Sequence, residues 1–350
     1  MPPPTSELFH VESSPSTGRR IHASQFIPAN TPLLITPALS TCMLFREYKR
    51  EVCAFCFAYN RGRNWSLRDA DAGLAWCSEE CRVEWLHFQG PLALEAFRNI
   101  ERLVRKAGQK TDDNGNTVNG VAQPPSPDAV EKAWAEAAEY GQLIISARGT
   151  DKTAVSKAAR RALQTATSGP ADPAVLSHFL SGILLHANHS DLYCSMTELH
   201  AASQPYKDQE QLQIHISTYH QLLALLPEDL LPSCTPDIVR AVQSRDLPNS
   251  FGIRSLDDAG DEIFGFGVWP EASYWNHSCT PNVQKRRVGR AWEFWTARAI
   301  EEGEELCITY LGGEEETLNV RERRERLGKT WGFVCGCGKC EGEAGLVGTE

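Results

Sequence analysis

Hydrophobic and polar positions change their period twice along the chain. Residues 18–37 carry short apolar runs, Ile21, Ala23 and Phe26 in one and Leu33, Leu34 and Ile35 in the next, punctuated by Pro28 and Pro32; this predicts two short strands. From residue 78 the period lengthens. Ser78, Glu79 and Glu80 read as an N-cap with acids in the first turn, which predicts a helix to about residue 89. A second helix, 91–107, starts on Pro91 and aligns Leu94, Phe97, Ile100, Leu103 and Val104 on one face. Helical patterns follow at 129–147, 174–187, 207–226 and 236–246, separated by a linker at 108–128 and a polar, irregular stretch at 148–173. Beyond Asn249 short strands return at 250–253, 264–269, 283–287, 292–297 and 305–310, and a charged helix near 315–327 leads to the last cysteines. Strand-forming segments at both ends thus enclose a helical middle. The outer segments must pair with each other if the N-terminal strands are not to keep open edges.

Composition narrows the class. At 350 residues, 41% hydrophobic and 23% charged, the chain is an ordinary globular protein of two or three domains, or one core with insertions. It has no run of some 18 apolar residues and no secretory start at Met1-Pro2-Pro3-Pro4, so no membrane partner is expected and an intracellular place, nucleus or cytoplasm, is. The net charge of −10 argues against broad phosphate-backbone contact, so direct nucleic-acid binding is not expected. It suits a basic partner steered to an acidic cleft, or simply a soluble acidic enzyme. The basic run 321–326 is interspersed with Glu322 and Glu325 and reads as a solvated helix face.

Twelve cysteines in such a compartment call for something other than disulfides. Cys53-x2-Cys56 followed by Cys77-x3-Cys81 supplies a full set of zinc thiolates. Cys335-Gly-Cys337-Gly-Lys-Cys340 is one ligand short of a tetrahedral site, with Cys279 the obvious fourth, and Gly336 and Gly338 permit the tight turns that wrap a metal. Two zinc ions per chain are therefore expected. Cys42, Cys194, Cys234 and Cys307 stand alone and read as small buried hydrophobes. His186, His189 and Cys194 read as helix-end and loop residues rather than as a metal site.

Three motifs in fixed order carry a resemblance: Asn276-His277-Ser278-Cys279-Thr280-Pro281-Asn282, then Gly303-Glu304-Glu305-Leu306-Cys307-Ile308-Thr309-Tyr310, then the Cys335, Cys337, Cys340 tail. They resemble the SET-domain protein-lysine methyltransferases. With Trp76-Cys77-Ser78-x-x-Cys81 and Trp85, the chain is similar to the branch that pairs SET with a MYND zinc finger, here reduced to one zinc because 57–76 holds no cysteine or histidine. The implied fold class is α+β: a SET-domain β-fold of small curved sheets with a helical insertion, a MYND-like zinc module and a cysteine-rich post-SET tail. The implied boundaries are 1–50 for the N-terminal SET strands, 51–90 for the zinc module, 91–248 for the helical insertion, 249–312 for the SET catalytic core and 313–345 for the tail.

The resemblance also implies chemistry: in-line transfer of a methyl group from S-adenosylmethionine to a lysine of a protein substrate, with histone tails and non-histone proteins both open. By similarity Tyr310 orients the amine and borders the transfer pore, Asn276 and His277 hold the cofactor, and Ser273 and Trp275 line the same pocket. Asn249 matches another cofactor-contacting asparagine, or is simply a turn residue after Pro248. Trp331 and Phe333 fall where the family places aromatic residues around the cofactor and lysine channel. The family's Gly-x-Gly-Leu opening is here Gly18-Arg19-Arg20-Ile21, in the cofactor-contacting position. Arg20 replaces the second glycine, and either pairs with the cofactor's carboxylate or obstructs the pocket. Two functions follow, an active lysine methyltransferase or a non-catalytic zinc scaffold that recruits protein partners.

Overall fold

The computed structural model describes residues 3–14, 18–108, 123–149, 155–256 and 262–347. Much of the expected 108–128 linker, and residues 150–154, lie outside the described residues. The chain divides into two compact units, one of residues 1–39, 247–250 and 268–350, the other of residues 40–246 and 251–267.

Both ends of the chain build the first unit. Phe9–Ser14 pairs antiparallel with Gly18–Ala23, placing Val11 opposite Ile21. Pro32–Thr36 pairs with Ala291–Thr296, which in turn pairs with Val283–Val288. The pairing of outer segments that the edge argument demands is therefore present. Ala291–Thr296 owes its place to a clean period of two, with Trp292, Phe294 and Thr296 buried and the residues between them half-buried. Asn276–His277 runs parallel to Cys307–Ile308. That second strand is shorter than the expected 305–310, because the buried Asn282 side chain replaces a neighbouring strand: its Nδ2 donates to the Glu305 carbonyl and its Oδ1 accepts from the Cys307 N–H, both at 2.8 Å. Phe26, expected in the first strand, is 54% exposed, while Ile27 is fully buried in its stead.

A helical core dominates the second unit, formed by Ala93–Gly108, Pro127–Arg148, Pro173–Asn188 and Gln209–Leu225. Ser78 caps Glu79–Gln89 by accepting from the Cys81 N–H, as its position suggested. The stretch read as irregular holds a helix, Lys157–Ala166, whose buried face is Ala159, Ala162 and Ala166. Leu163, half-buried against the core, is the one large apolar residue on that face, so the period is only weakly announced. His186 and His189 are occupied by hydrogen bonds, to Ser233 Oγ at 2.9 Å and to the Phe88 carbonyl at 2.6 Å. Of the solitary cysteines, Cys234 is buried, Cys42 and Cys307 are partly so, and Cys194 is exposed, which corrects the uniform burial expected of them. Among the described residues no helix is long and apolar enough to cross a membrane.

One small sheet in this unit places Ile263–Val268 between Thr41–Leu44 and Ser250–Arg254. Gly265 lies in its central strand, where a Cβ would stand 1.9 Å from the Met43 carbonyl oxygen and 2.9 Å from Leu44 Cα. These are backbone atoms and cannot swing aside. Gly265→Ala is expected to lower stability by at least about 2 kcal/mol, read as a lower urea midpoint of the zinc-loaded protein; an unchanged midpoint would contradict this packing.

Candidate active site and thiol clusters

Tyr310 leaves the Cys307–Ile308 strand and donates its backbone N–H to Nδ1 of His277 at 3.0 Å. That bond leaves the imidazole proton on Nε2, which faces the Sγ of Cys279 at 3.2 Å. Burial, aided by Lys285 and Arg323, brings His277 down to about 4, so the ring is neutral near pH 7. The Tyr310 hydroxyl donates to the Trp275 carbonyl at 2.7 Å. Burial, and behind it Cys307 and Glu305, pushes this phenol well above the ordinary tyrosine value and keeps it protonated.

Aromatic rings close around it. Tyr310 lies 5.2 Å from Trp331, 5.3 Å from His277 and, edge-on, 6.3 Å from Phe333. Trp331 ends the helix Val320–Trp331, and Gly332 follows with φ 76°. A glycine takes this left-handed cap without strain, and the turn it makes returns Phe333 toward His277, 6.2 Å away.

The same turn delivers the tail thiols. Cys279 Sγ lies 3.5 Å from Cys340 and 3.9 Å from Cys335. The sulfurs of Cys279, Cys335, Cys337 and Cys340 all fall within 4.8 Å of one another. Tetrahedral zinc with Zn–S near 2.3 Å sets its sulfurs about 3.8 Å apart, whereas a disulfide would need about 2.05 Å. The set therefore fits zinc. Burial pushes Cys335 up to about 11, while Cys337, despite burial, is brought down to about 7 by the N–H groups of Cys340 and Cys279 and by thiol hydrogen bonds. In the other unit Cys53, Cys56, Cys77 and Cys81 form a second such group, with Cys77 at 3.5 Å from both Cys56 and Cys81. His87 is exposed and outside it.

A polar group adjoins the aromatic one. Asn276 donates from Nδ2 to the Arg19 carbonyl and to Glu305 Oε1, both at 2.9 Å, which leaves its Oδ1 as an acceptor. Arg20 stands 3.6 Å from the other Glu305 oxygen. Arg19 points elsewhere, to the Tyr274 hydroxyl at 3.0 Å and over that ring at 4.4 Å. Gly18 has φ 71°, and nothing lies within 4 Å of where its Cβ would be. The Ser273 hydroxyl is directed at the carbonyls of Asn249, 3.0 Å, and Trp269, 2.9 Å, so it ties Asn249 to this loop rather than facing open space. Trp275 departs further from the expected lining role. Its ring is 1% exposed, stacked on Phe294 at 5.1 Å and against Phe9 at 5.6 Å, and it reaches the site only through its carbonyl. Glu305, which joins Arg20 to Asn276, received no role from the sequence. The available signal was the period of two, since it precedes by two residues Cys307, the strand partner of Asn276.

A SET domain profile matches residues 18–311. The chain belongs to the SET-domain family. The SET domain is a methyltransferase fold, and its relatives bear that out in name. The potential protein lysine methyltransferase SET6 of Saccharomyces cerevisiae is 27% identical over 373 aligned positions, covering 97% of this chain and 96% of the relative. The histone-lysine N-methyltransferase ASHR2 of Arabidopsis thaliana is 30% identical over 134 residues, 35% of this chain and 33% of the relative. A SET and MYND domain-containing protein of Dictyostelium discoideum is 31% identical over 108 residues, 31% and 26% of the respective chains.

The two thiol groups lie in different units, so they should load independently. Native protein is expected to carry a zinc ion at each, and Cys279→Ser to lose the tail ion while keeping the other. Elemental analysis by plasma mass spectrometry checks this; a variant that keeps both ions, or loses both, contradicts the ligand sets.

Proposed function

We propose that this chain is an S-adenosylmethionine-dependent protein-lysine N-methyltransferase, acting on an exposed lysine of a histone tail or another protein. The observation that carries the proposal is the Tyr310 hydroxyl, held against the Trp275 carbonyl inside a wall of His277, Trp331 and Phe333. When bound, S-adenosylmethionine would supply a methyl group on a positively charged sulfur. The residues beside Tyr310 suit its amino-acid end. Asn276 offers Oδ1 to an ammonium, and Arg20, paired on one side with Glu305, keeps N–H donors for a carboxylate. This pairing supports the first of the two roles open to Arg20 and speaks against obstruction.

The chain's own groups then act on the lysine. A free lysine amine has a pKa near 10.4 and must shed its proton before it can attack. The aromatic wall disfavours the ammonium form by desolvation. Tyr310 donates its hydroxyl hydrogen bond to the Trp275 carbonyl, so its oxygen lone pairs remain to accept an N–H from the amine and turn the nitrogen's pair toward the methyl donor. Most of the rate would come from this alignment, with no strong acid or base required. Residues 91–248, the proposed insertion, would select the protein substrate.

Calorimetric titration with S-adenosylmethionine tests the first step; no heat of binding at millimolar cofactor would leave only the scaffold function. Tyr310→Phe keeps the ring and removes the acceptor. It is expected to lower kcat for methyl transfer about 100-fold with little change in cofactor affinity, and equal losses in both would contradict the role given to the hydroxyl.

A further inference from the structure

Beside the tail thiols lies a buried charge that methyl transfer does not use. Arg323, in the helix Val320–Trp331, is 0% exposed, although the alternation of Arg and Glu around it reads as a solvated face. Its neighbours Arg321, Glu322, Glu325 and Arg326 are exposed, whereas Arg324 is half-buried and donates its Nε–H to the Cys335 carbonyl at 3.1 Å. The guanidinium donates to the Leu318 carbonyl at 2.5 Å and to the Glu343 carboxylate at 2.7 Å. Glu343 lies on the helix Gly338–Val347, which also bears Cys340. The side chain rests against the Cys340 thiol. Its Nε–H is buried without an acceptor. An orphaned donor of this kind beside sulfur atoms asks what takes it.

Thiolates give an answer. Four of them around a divalent zinc leave two net negative charges in a buried place, which is costly unless a cation or hydrogen-bond donors offset them. His277 already supplies one N–H, from Nε2 to Cys279.

We propose that Arg323 is a positioning residue of the tail zinc site: its guanidinium neutralises the four-thiolate complex and, through Glu343, locks the helix ending in Trp331 to the helix bearing Cys340. The proposal rests on zinc at the tail thiols and is independent of the methyltransferase reading. Arg323 touches neither substrate nor cofactor; it acts by keeping the metal in place.

Native protein, Arg323→Gln and Arg323→Lys would be challenged with the chromogenic chelator 4-(2-pyridylazo)resorcinol, and cysteine alkylation by iodoacetamide mapped by peptide mass spectrometry. In Arg323→Gln the tail ion is expected to leave about 10- to 100-fold faster than in native protein, with Cys279, Cys335, Cys337 and Cys340 alkylated early and the finger ion released at its native rate. Arg323→Lys, which keeps the charge and loses the planar fork, should fall between. Native release rates in a folded Arg323→Gln would overturn the proposal. Should that variant not fold, Arg323→Lys decides: faster tail release supports it, an unchanged rate overturns it. Native protein holding no tail zinc would refute the metal site itself, a result separate from either.

Discussion

His277 is bonded at both ring nitrogens, and that double commitment is the constraint on which the first unit turns. Nδ1 accepts from the Tyr310 backbone, which forces the proton onto Nε2, where it meets Cys279. The imidazole thereby transmits position from a metal-type thiol group to Tyr310. Neither end is free to move alone. A shift of Cys279 would rotate the ring, and rotation would cost Tyr310 its backbone partner. The tail thiols also bring Trp331 and Phe333 against Tyr310, so the same closure fixes both the hydroxyl and its wall.

Charge in the neighbouring polar group is arranged around Glu305. Its two oxygens are divided between Asn276 and Arg20. Because Glu305 accepts from Nδ2, the carboxamide of Asn276 must turn Oδ1 the other way, so a carboxylate decides which face of an amide is offered to a ligand. Arg20 stands where the family motif has a glycine, yet its charge is directed to that carboxylate. A neutral residue of the same size would leave Glu305 without that charged partner.

How far the sequence reached depends on whether chemistry or geometry constrained each residue. Zinc demands four ligands, so three tail cysteines pointed to a distant fourth, and Cys279 is found within bonding reach of one ion. Period-two burial is equally demanding, and Ala291–Thr296 followed it. Where a polar side chain substitutes for backbone, no pattern betrays it: Asn282 stands in for a strand and shortens the one beside it. Alanine faces are quiet for a related reason, since the fully buried residues of Lys157–Ala166 are all alanines. Trp275 and Arg323 fail in opposite senses. One was expected at the pocket and is packed between Phe9 and Phe294; the other was expected in water and lies buried beside the Cys340 thiol. In both, residue type alone suggested an environment that three-dimensional neighbours overruled.

The arrangement also explains why a metal would be needed at the tail at all. The first unit joins residues 1–39 to residues 268–350, and the pairing of Pro32–Thr36 with Ala291–Thr296 closes that distance. Loop closure over such distances is entropically unfavourable before any contact compensates. Beyond Thr309 the chain adds little apolar burial to this unit, with Leu311, Leu327, Cys335 and Cys340 as its buried hydrophobics and two of those four being thiols. A core so small holds a tail poorly by hydrophobic burial, whereas metal–thiolate bonds convert binding energy directly into folding energy. The aromatic wall around Tyr310 would then be only as persistent as that closure, which would place metal retention ahead of ring packing in the order of physical causes.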